Sequence, residues 1–486
     1  MSRLTVTILV PLLLALAAGA GVWAWFAAAP EPDAELRLPS PPLRVHYPAG
    51  LPGELERAQA EPADLPGSWP GFRGPNRDGV SPDPAPLAET WPAGGPEVLW
   101  SVRVGEGYGG AAVLNGCVYL LDYDEAARRD VLRCLSLASG REIWRYAYAL
   151  EIPSDHGFSR TVPAVTDGYC VSLSPACHVL CVRTDTGEYL WHKDLVEQYD
   201  GEVPGWYTGQ CPLIDVISGK PAAVVAPGGK SMIAAFDCET GEPIWESPAV
   251  TRPDAEGKPI AWQATHSSVM PVTFRGAKRT WEMYVYAATD GVVAVAKDDG
   301  RILWTFDEWQ VVPANVPSPV LLGDGRLLLS GGYGAGSILL ELREVGDGLR
   351  VEEVRRMTSR EFGSYQQTPV FYPSGGDGHV YGVMPKDAGN LREQLVCLSP
   401  EGSLRWASGR DDRFGWGPFA VADGKVFVMD DSGLLTLARA TPEGYRRLAR
   451  AQVLPAGKES WAPLAIAGRR LICRDFTRMI CLDVGR

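Results

Sequence analysis

An all-β chain folded as an eight-bladed β-propeller of four-stranded antiparallel blades, preceded by an N-terminal hydrophobic helix, is what this sequence predicts. Three observations carry the prediction: a glycine followed four residues later by tryptophan recurs at a period near 50, the segments between copies are apolar runs of strand length, and no amphipathic helical pattern competes with them. Repeats of this length made only of short strands mark a ring of blades, because one blade cannot bury both faces of its sheet and must stack on its neighbours.

Composition agrees with that reading. The 486 residues include 54 glycines and 40 prolines, a share that favours many turns. The formal charge of −13 opposes association with a polyanion, so nucleic acid is not an expected partner.

Taken from the start, residues 4–29 carry no charged side chain and are long enough to span a bilayer. Arg3 precedes the stretch and Glu31, Asp33 and Glu35 follow it. The positive-inside bias then makes residues 1–29 a single-pass anchor in the cell membrane, with the bulk of the chain on the periplasmic, extracytoplasmic side. A cleaved signal peptide, with Ala18 and Ala20 at the cleavage site, is the competing reading. The apolar run beyond Ala20 and Pro30 just after it favour the anchor. Residues 30–66 contain nine prolines and read as an extended linker. Residues 67–486 are left for the propeller.

The repeat falls at Gly140/Trp144, Gly187/Trp191, Gly241/Trp245, Gly300/Trp304 and Gly402/Trp406. Successive tryptophans are 47, 54, 59 and 102 residues apart, the last interval holding two periods with one degenerate copy. Glycine supplies the positive φ of the tight turn between third and fourth strands, and the indole, on the outer strand, covers surface between blades. Innermost strands are expected to begin near Gly109, Thr161, Gln210, Ser267, Pro317, Thr368, Pro418 and Pro463, which gives eight units. The eighth runs out of chain before its fourth strand. Residues 98–104, around Trp100, are the spare strand that fills the gap and closes the ring, removing its free edges.

The run Phe236-Asp237-Cys238-Glu239-Thr240-Gly241-Glu242-Pro243-Ile244-Trp245 resembles the pyrroloquinoline-quinone-like (PQQ-like) propeller repeat, which is shared by quinoprotein alcohol dehydrogenases and the outer-membrane assembly factor BamB. The stretch Trp69-Pro70-Gly71-Phe72-Arg73-Gly74-Pro75-Asn76-Arg77-Asp78-Gly79-Val80 is similar to the lead-in before the first blade of many non-enzymatic exported members. The resemblance covers residues 68–486. It implies a monomeric, BamB-like, non-catalytic scaffold for envelope proteins, without cofactor. Two alternatives stand beside it, a dehydrogenase and a small-ligand sensor domain. The dehydrogenase branch implies a bound quinone, calcium held by oxygen ligands, a carboxylate base and two adjacent cysteines. None of the ten cysteines is adjacent to another, and no Asp/Asn cluster has calcium-loop spacing. No catalytic residue and no metal site are therefore expected.

Cys134, Cys181, Cys397 and Cys481 occupy matching third-strand positions, where a small apolar side chain packs well. Cys170 and Cys181 flank one turn, and their pairing is open. Gly105, Gly107 and Gly110 fit a dinucleotide fingerprint literally, but a strand follows where a helix is needed. None of the six histidines is paired at metal-ligand spacing, and His266 reads as structural. What remains is the channel mouth, where Arg160, Gln210, His266, Asn315, Gln367 and Trp461 are expected to converge and to meet a ligand, a peptide or water alone.

Overall fold

Each predicted unit becomes a meander of antiparallel strands, because its apolar runs are short and most pairs are separated by a glycine-bearing turn. The computed structural model describes residues 46–323, 325–373, 376, 378–454 and 458–486. The hydrophobic helix expected within residues 1–29 lies outside the described residues.

Among these residues eight sheets form the ring, and their inner strands follow one another around the axis: Ala112–Leu114, Ala164–Val165, Leu213–Ile217, Met270–Arg275, Val320–Leu321, Val370–Tyr372, Phe419–Ala422 and Ala465–Ala467. The last lies beside the first, so the ring is closed. Its eighth sheet combines Ala465–Ala467, Arg470–Arg474 and Arg478–Asp483 from the C-terminal end with Glu97–Arg103, which pairs antiparallel with Arg478–Asp483. Trp100 stands opposite Cys481, as the closure reading requires.

Four of the repeat tryptophans lock a blade to the next one. Gly140, Gly187, Gly241 and Gly300 have φ between +65° and +74°, and a Cβ at any of them would lie 2.4–2.8 Å from the indole of Trp100, Trp144, Trp191 or Trp245 in the preceding blade. Only glycine meets both demands. The indole N–H of Trp100, Trp191 and Trp245 donates to the carbonyl three residues before that glycine, at 2.8–2.9 Å. In the degenerate fifth blade Arg355 takes the tryptophan register, opposite Leu339. Its guanidinium donates to Glu401 O at 2.8 Å, while Met357 covers Gly402.

Trp304 and Trp406 stand in the repeat register and are buried, yet neither caps a glycine turn of the next blade. Trp304 faces the degenerate blade five, whose hairpin runs on to a distant turn at Gly346, where an added Cβ would meet nothing within 4 Å. Its indole packs in one apolar cluster with Leu340 and Leu342, and its N–H has no hydrogen-bond partner among the described residues. Trp406 keeps the N–H bond, donating to Thr441 O at 2.8 Å, but the Tyr445 ring, with centroids 5.7 Å apart, packs on it. Gly444, three residues after that carbonyl, stands clear of the indole. Both indoles therefore seal apolar surface between blades without the glycine that the motif supplies elsewhere.

The second half of the proline-rich linker is not a free tether, since Gly50–Arg57 is a fifth strand on the outside of blade one, paired antiparallel with Glu142–Ala149. The outer edge offered unpaired backbone groups, and this extended, proline-containing segment satisfies them. Cys170 and Cys181 do not face each other either. The register sets Cys170 opposite Val182 and Cys181 opposite Val171, which points the two thiols to opposite faces. All ten cysteines are free and buried.

Candidate functional site

The lead-in segment, residues 69–81, crosses the bore of the ring. Trp69 bridges to Val113 in blade one, Pro70 O accepts from Val165 N in blade two, and Val80–Ser81 runs parallel to Val421 and Ala422 in blade seven. Two buried arginines fasten it on opposite sides. Arg73 donates to Thr368 O and Pro369 O of blade six at 2.7 and 2.8 Å, and to its own segment's Arg77 O and Asp78 O. Arg77 reaches Pro212 O and Cys211 O in blade three at 3.0 and 3.3 Å. Burial pushes both guanidinium pKa values down to about 10, so both remain charged at neutral pH. Carbonyl oxygens that the short inner strands leave unpaired are the acceptors.

Above this plug the bore is a blind cup of about 270 Å³. Phe72, from the plug, contributes to its lining, and each blade adds one residue from just before its inner strand: Tyr108, Arg160, Gly209, His266, Val316, Gln366, Trp416 and Trp461. The aromatic members form a continuous arc. Tyr108 stacks on Trp461 with centroids 5.2 Å apart, Trp461 meets Trp416 at 4.6 Å, Trp416 stacks on Tyr365 at 5.3 Å, and Tyr365 meets Tyr333 at 4.7 Å. Asp431 fixes the two indoles, accepting from Trp461 Nε1 at 2.7 Å and from the Trp416 backbone N–H at 2.8 Å. Tyr108 Oη donates to Glu459 at 2.6 Å; burial and that carboxylate push the phenol pKa up, so it keeps its proton. Arg160 donates to Phe158 O, Asp155 O and His156 O and lies over the rings of Tyr108 and Tyr207. Burial, with the Arg160 charge adding to it, pushes His266 down to about 3, which leaves a neutral imidazole in the wall.

Four of the six predicted mouth residues, Arg160, His266, Gln367 and Trp461, line this cup. Gln367 also donates to Trp461 O at 2.9 Å. The other two do not line it. Gln210 is turned into blade three, where its amide both donates to and accepts from the Ala226 backbone. Asn315 is buried between the wall residues Ala314 and Val316, and neither polar atom of its side chain has a hydrogen-bond partner among the described residues. Both sit one residue out of the wall register, and in extended chain a single step reverses the side chain. Tyr108 and Trp416 escaped the sequence reading although a signal was present: Tyr108 precedes its inner strand by the same offset as Arg160 and Trp461, and Trp416 precedes its own by one residue less.

Comparison with known proteins fits this architecture. Residues 128–261 match the family model described as outer membrane protein assembly factor BamB. The chain folds as a β-propeller, and over residues 128–261 it is similar to the PQQ-like repeat family. A europium-containing methanol dehydrogenase superposes with a TM-score of 0.56 at 13% identity, covering 84% of this chain and 89% of that one. BamB from Moraxella catarrhalis superposes with a TM-score of 0.50 at 13% identity, covering 79% and 99%. No curated protein sequence matches the chain. At such identities the structural likenesses establish the shared fold, and activity has to be argued from the site.

The cup of this propeller does not fit the quinone and calcium pair of the dehydrogenase branch. Among the described residues Glu459 is the one carboxylate in its lining, and it already accepts a hydrogen bond from Tyr108. Calcium needs six to eight oxygen ligands, whereas Phe72, Trp416 and Trp461 give this lining an aromatic character.

Proposed function

We propose that this propeller is an exported, membrane-anchored interaction ring of the BamB-like, non-catalytic kind, which organises envelope proteins by seating a protruding apolar side chain of a partner segment in the aromatic cup. The observation that carries the reading is the blind cup itself, with Phe72 and the arc Tyr108–Trp461–Trp416 held in place before any partner arrives. Tryptophan and tyrosine in preformed pockets supply most of the energy of protein interfaces, and pre-ordering removes much of the entropy cost of docking. The matched family is described as an assembly factor, which supports an organising role. The cup's volume of about 270 Å³ also suits a small free ligand at the lower end of the usual range. That keeps a sensor role as the second reading.

A photoreactive residue at Gln366, in cells producing the full-length chain, tests the proposal. Discrete envelope proteins should be captured, and Trp416→Ala or Trp461→Ala should cut capture at least tenfold while the ring still melts cooperatively. Capture insensitive to both substitutions would refute docking through the cup. In parallel, the purified chain given pyrroloquinoline quinone and calcium should show no melting shift and no dye-linked alcohol oxidation. Specific binding would add about 2.7 kcal/mol at a hundredfold excess over Kd, and such a shift with turnover would replace the scaffold by the dehydrogenase.

A further inference from the structure

On the flank of the ring, far in sequence from the cup, two imidazoles converge on one carboxylate oxygen. His178 opens the third strand of blade two and stands directly across from Asp194, the last residue of the outer strand. His46, just before the strand that docks on blade one, reaches the same place: its Nε2 is 2.7 Å from Asp194 Oδ2. His178 Nε2 is 3.6 Å from that oxygen.

The carboxylate is held for this role. Asp194 Oδ1 accepts from the backbone N–H groups of Val196 and Glu197, both at 3.0 Å, which leaves Oδ2 aimed at the imidazoles. Glu197 adds a further carboxylate: the donor atoms of His46, Asp194 and Glu197 all lie within 4.8 Å of one another, and His178 joins this group through Asp194 Oδ2 alone. A second observation points to a ligand. His178 is fully buried, with a relative exposure of 0%, yet among the described residues its Nε2 has no partner at hydrogen-bond distance, Asp194 Oδ2 lying 3.6 Å away. Its Nδ1 is 3.5 Å from Tyr148 Oη, so a proton on Nδ1 leaves the Nε2 lone pair free to face Asp194. Buried polar atoms are rarely left unpaired without reason.

We propose that His46, His178, Asp194 and Glu197 form a binding site for a divalent cation of the zinc type. Two imidazole nitrogens and two carboxylates match the N/O donor set and the charge such an ion prefers. Metal–ligand bonds near 2.0–2.2 Å in a tetrahedron put donor atoms roughly 3.3–3.6 Å apart. The His178–Asp194 separation of 3.6 Å is close to this, and the His46–Asp194 hydrogen bond of 2.7 Å would open to admit the ion. The bound ion would pin the start of the N-terminal segment to blade two while Gly50–Arg57 holds blade one, clamping the two blades together. Sequence spacing gave no sign of it, because His46 and His178 are 132 residues apart.

The test uses the full-length chain, stripped with chelator and titrated with Zn²⁺ by calorimetry and thermal melting. One ion per chain should bind, raise the melting temperature and protect the segment before residue 58 from protease. Co²⁺ should give the intense visible absorption of a tetrahedral site. His178→Gln should weaken binding at least tenfold. His46→Ala, a half-exposed position that leaves the fold intact, should do the same and abolish the protease protection. Zinc binding undiminished in both variants would mean an adventitious ion only. No zinc effect on melting or protease protection in the unmodified chain would reduce the cluster to an ion-pair latch. Either result overturns the proposal.

Discussion

At the scale of single residues, burial decides more than side-chain type. Asp130 is 1% exposed, and burial, opposed by its hydrogen bond with Tyr148, raises its pKa to about 8. The folded chain therefore keeps a proton there that the unfolded chain releases near pH 4. Its contribution to stability is fullest below pH 4 and is lost as pH rises toward 8, at about 1.4 kcal/mol per pH unit at most. Asp130→Asn should flatten that part of the curve and raise the melting temperature at pH 8, as followed by denaturation across pH 4–9. An unchanged pH profile would remove Asp130 from the account. Residue roles of this kind were only partly legible in the sequence. Arg160, His266, Gln367 and Trp461 were placed because they precede inner strands, whereas Gln210 and Asn315 failed by one step of chain. The clustering of His46 with His178 and Asp194 depends on a strand added to blade one, and no local pattern encodes it.

At the scale of the element, the repeat is an interaction between blades and not within one. Trp100, Trp144, Trp191 and Trp245 each cover the glycine of the following blade. Trp245→Ala should cost about 3–5 kcal/mol, and Gly300→Ala should cost at least about 2 kcal/mol, through its positive φ and its collision with the indole. Denaturant unfolding of the double variant supplies the decisive number. If one contact underlies both losses, the double variant falls well short of their sum, and full additivity would refute the pairing. Glycine and tryptophan were legible because the turn and the large apolar face each demand a particular residue type. What Trp304 and Trp406 meet was not legible, because the motif records an indole and the glycine of its own blade, while the contact is made with the turn of the next. The third-strand cysteines prove to stand opposite the indoles, Cys134 across from Trp144 and Cys181 across from Trp191, which is why a small side chain recurs there. The outer strand Gly50–Arg57 escaped the sequence too, since proline-rich chain reads as linker until an edge is there to receive it.

At the scale of the whole molecule, closure joins Glu97–Arg103 to the last strand, and the plug joins blades that face each other across the bore. Removal of residues 1–45 should leave a monomer that melts cooperatively, whereas removal of residues 1–105 should yield aggregates, as size-exclusion chromatography and calorimetry would report. A stable monomer of residues 106–486 would contradict closure by the N-terminal strand. The blade count and the closing strand were readable because the units recur and one of them is short. The plug was visible only as a segment outside the repeat, since its contacts are to backbone carbonyls that every blade offers alike.

Closure by Trp100 and Cys481 also sets a clock. Synthesis at about 5–20 residues per second separates the emergence of these two partners by roughly 20 to 75 seconds. Through that interval Glu97–Arg103 has no mate, its apolar face is open to other chains, and the segment bearing Arg73 and Arg77 must wait for carbonyls not yet translated. The nascent chain is thus exposed to misassociation for far longer than its individual hairpins need to form, and it depends on whatever shields unpaired strands until its last residues appear.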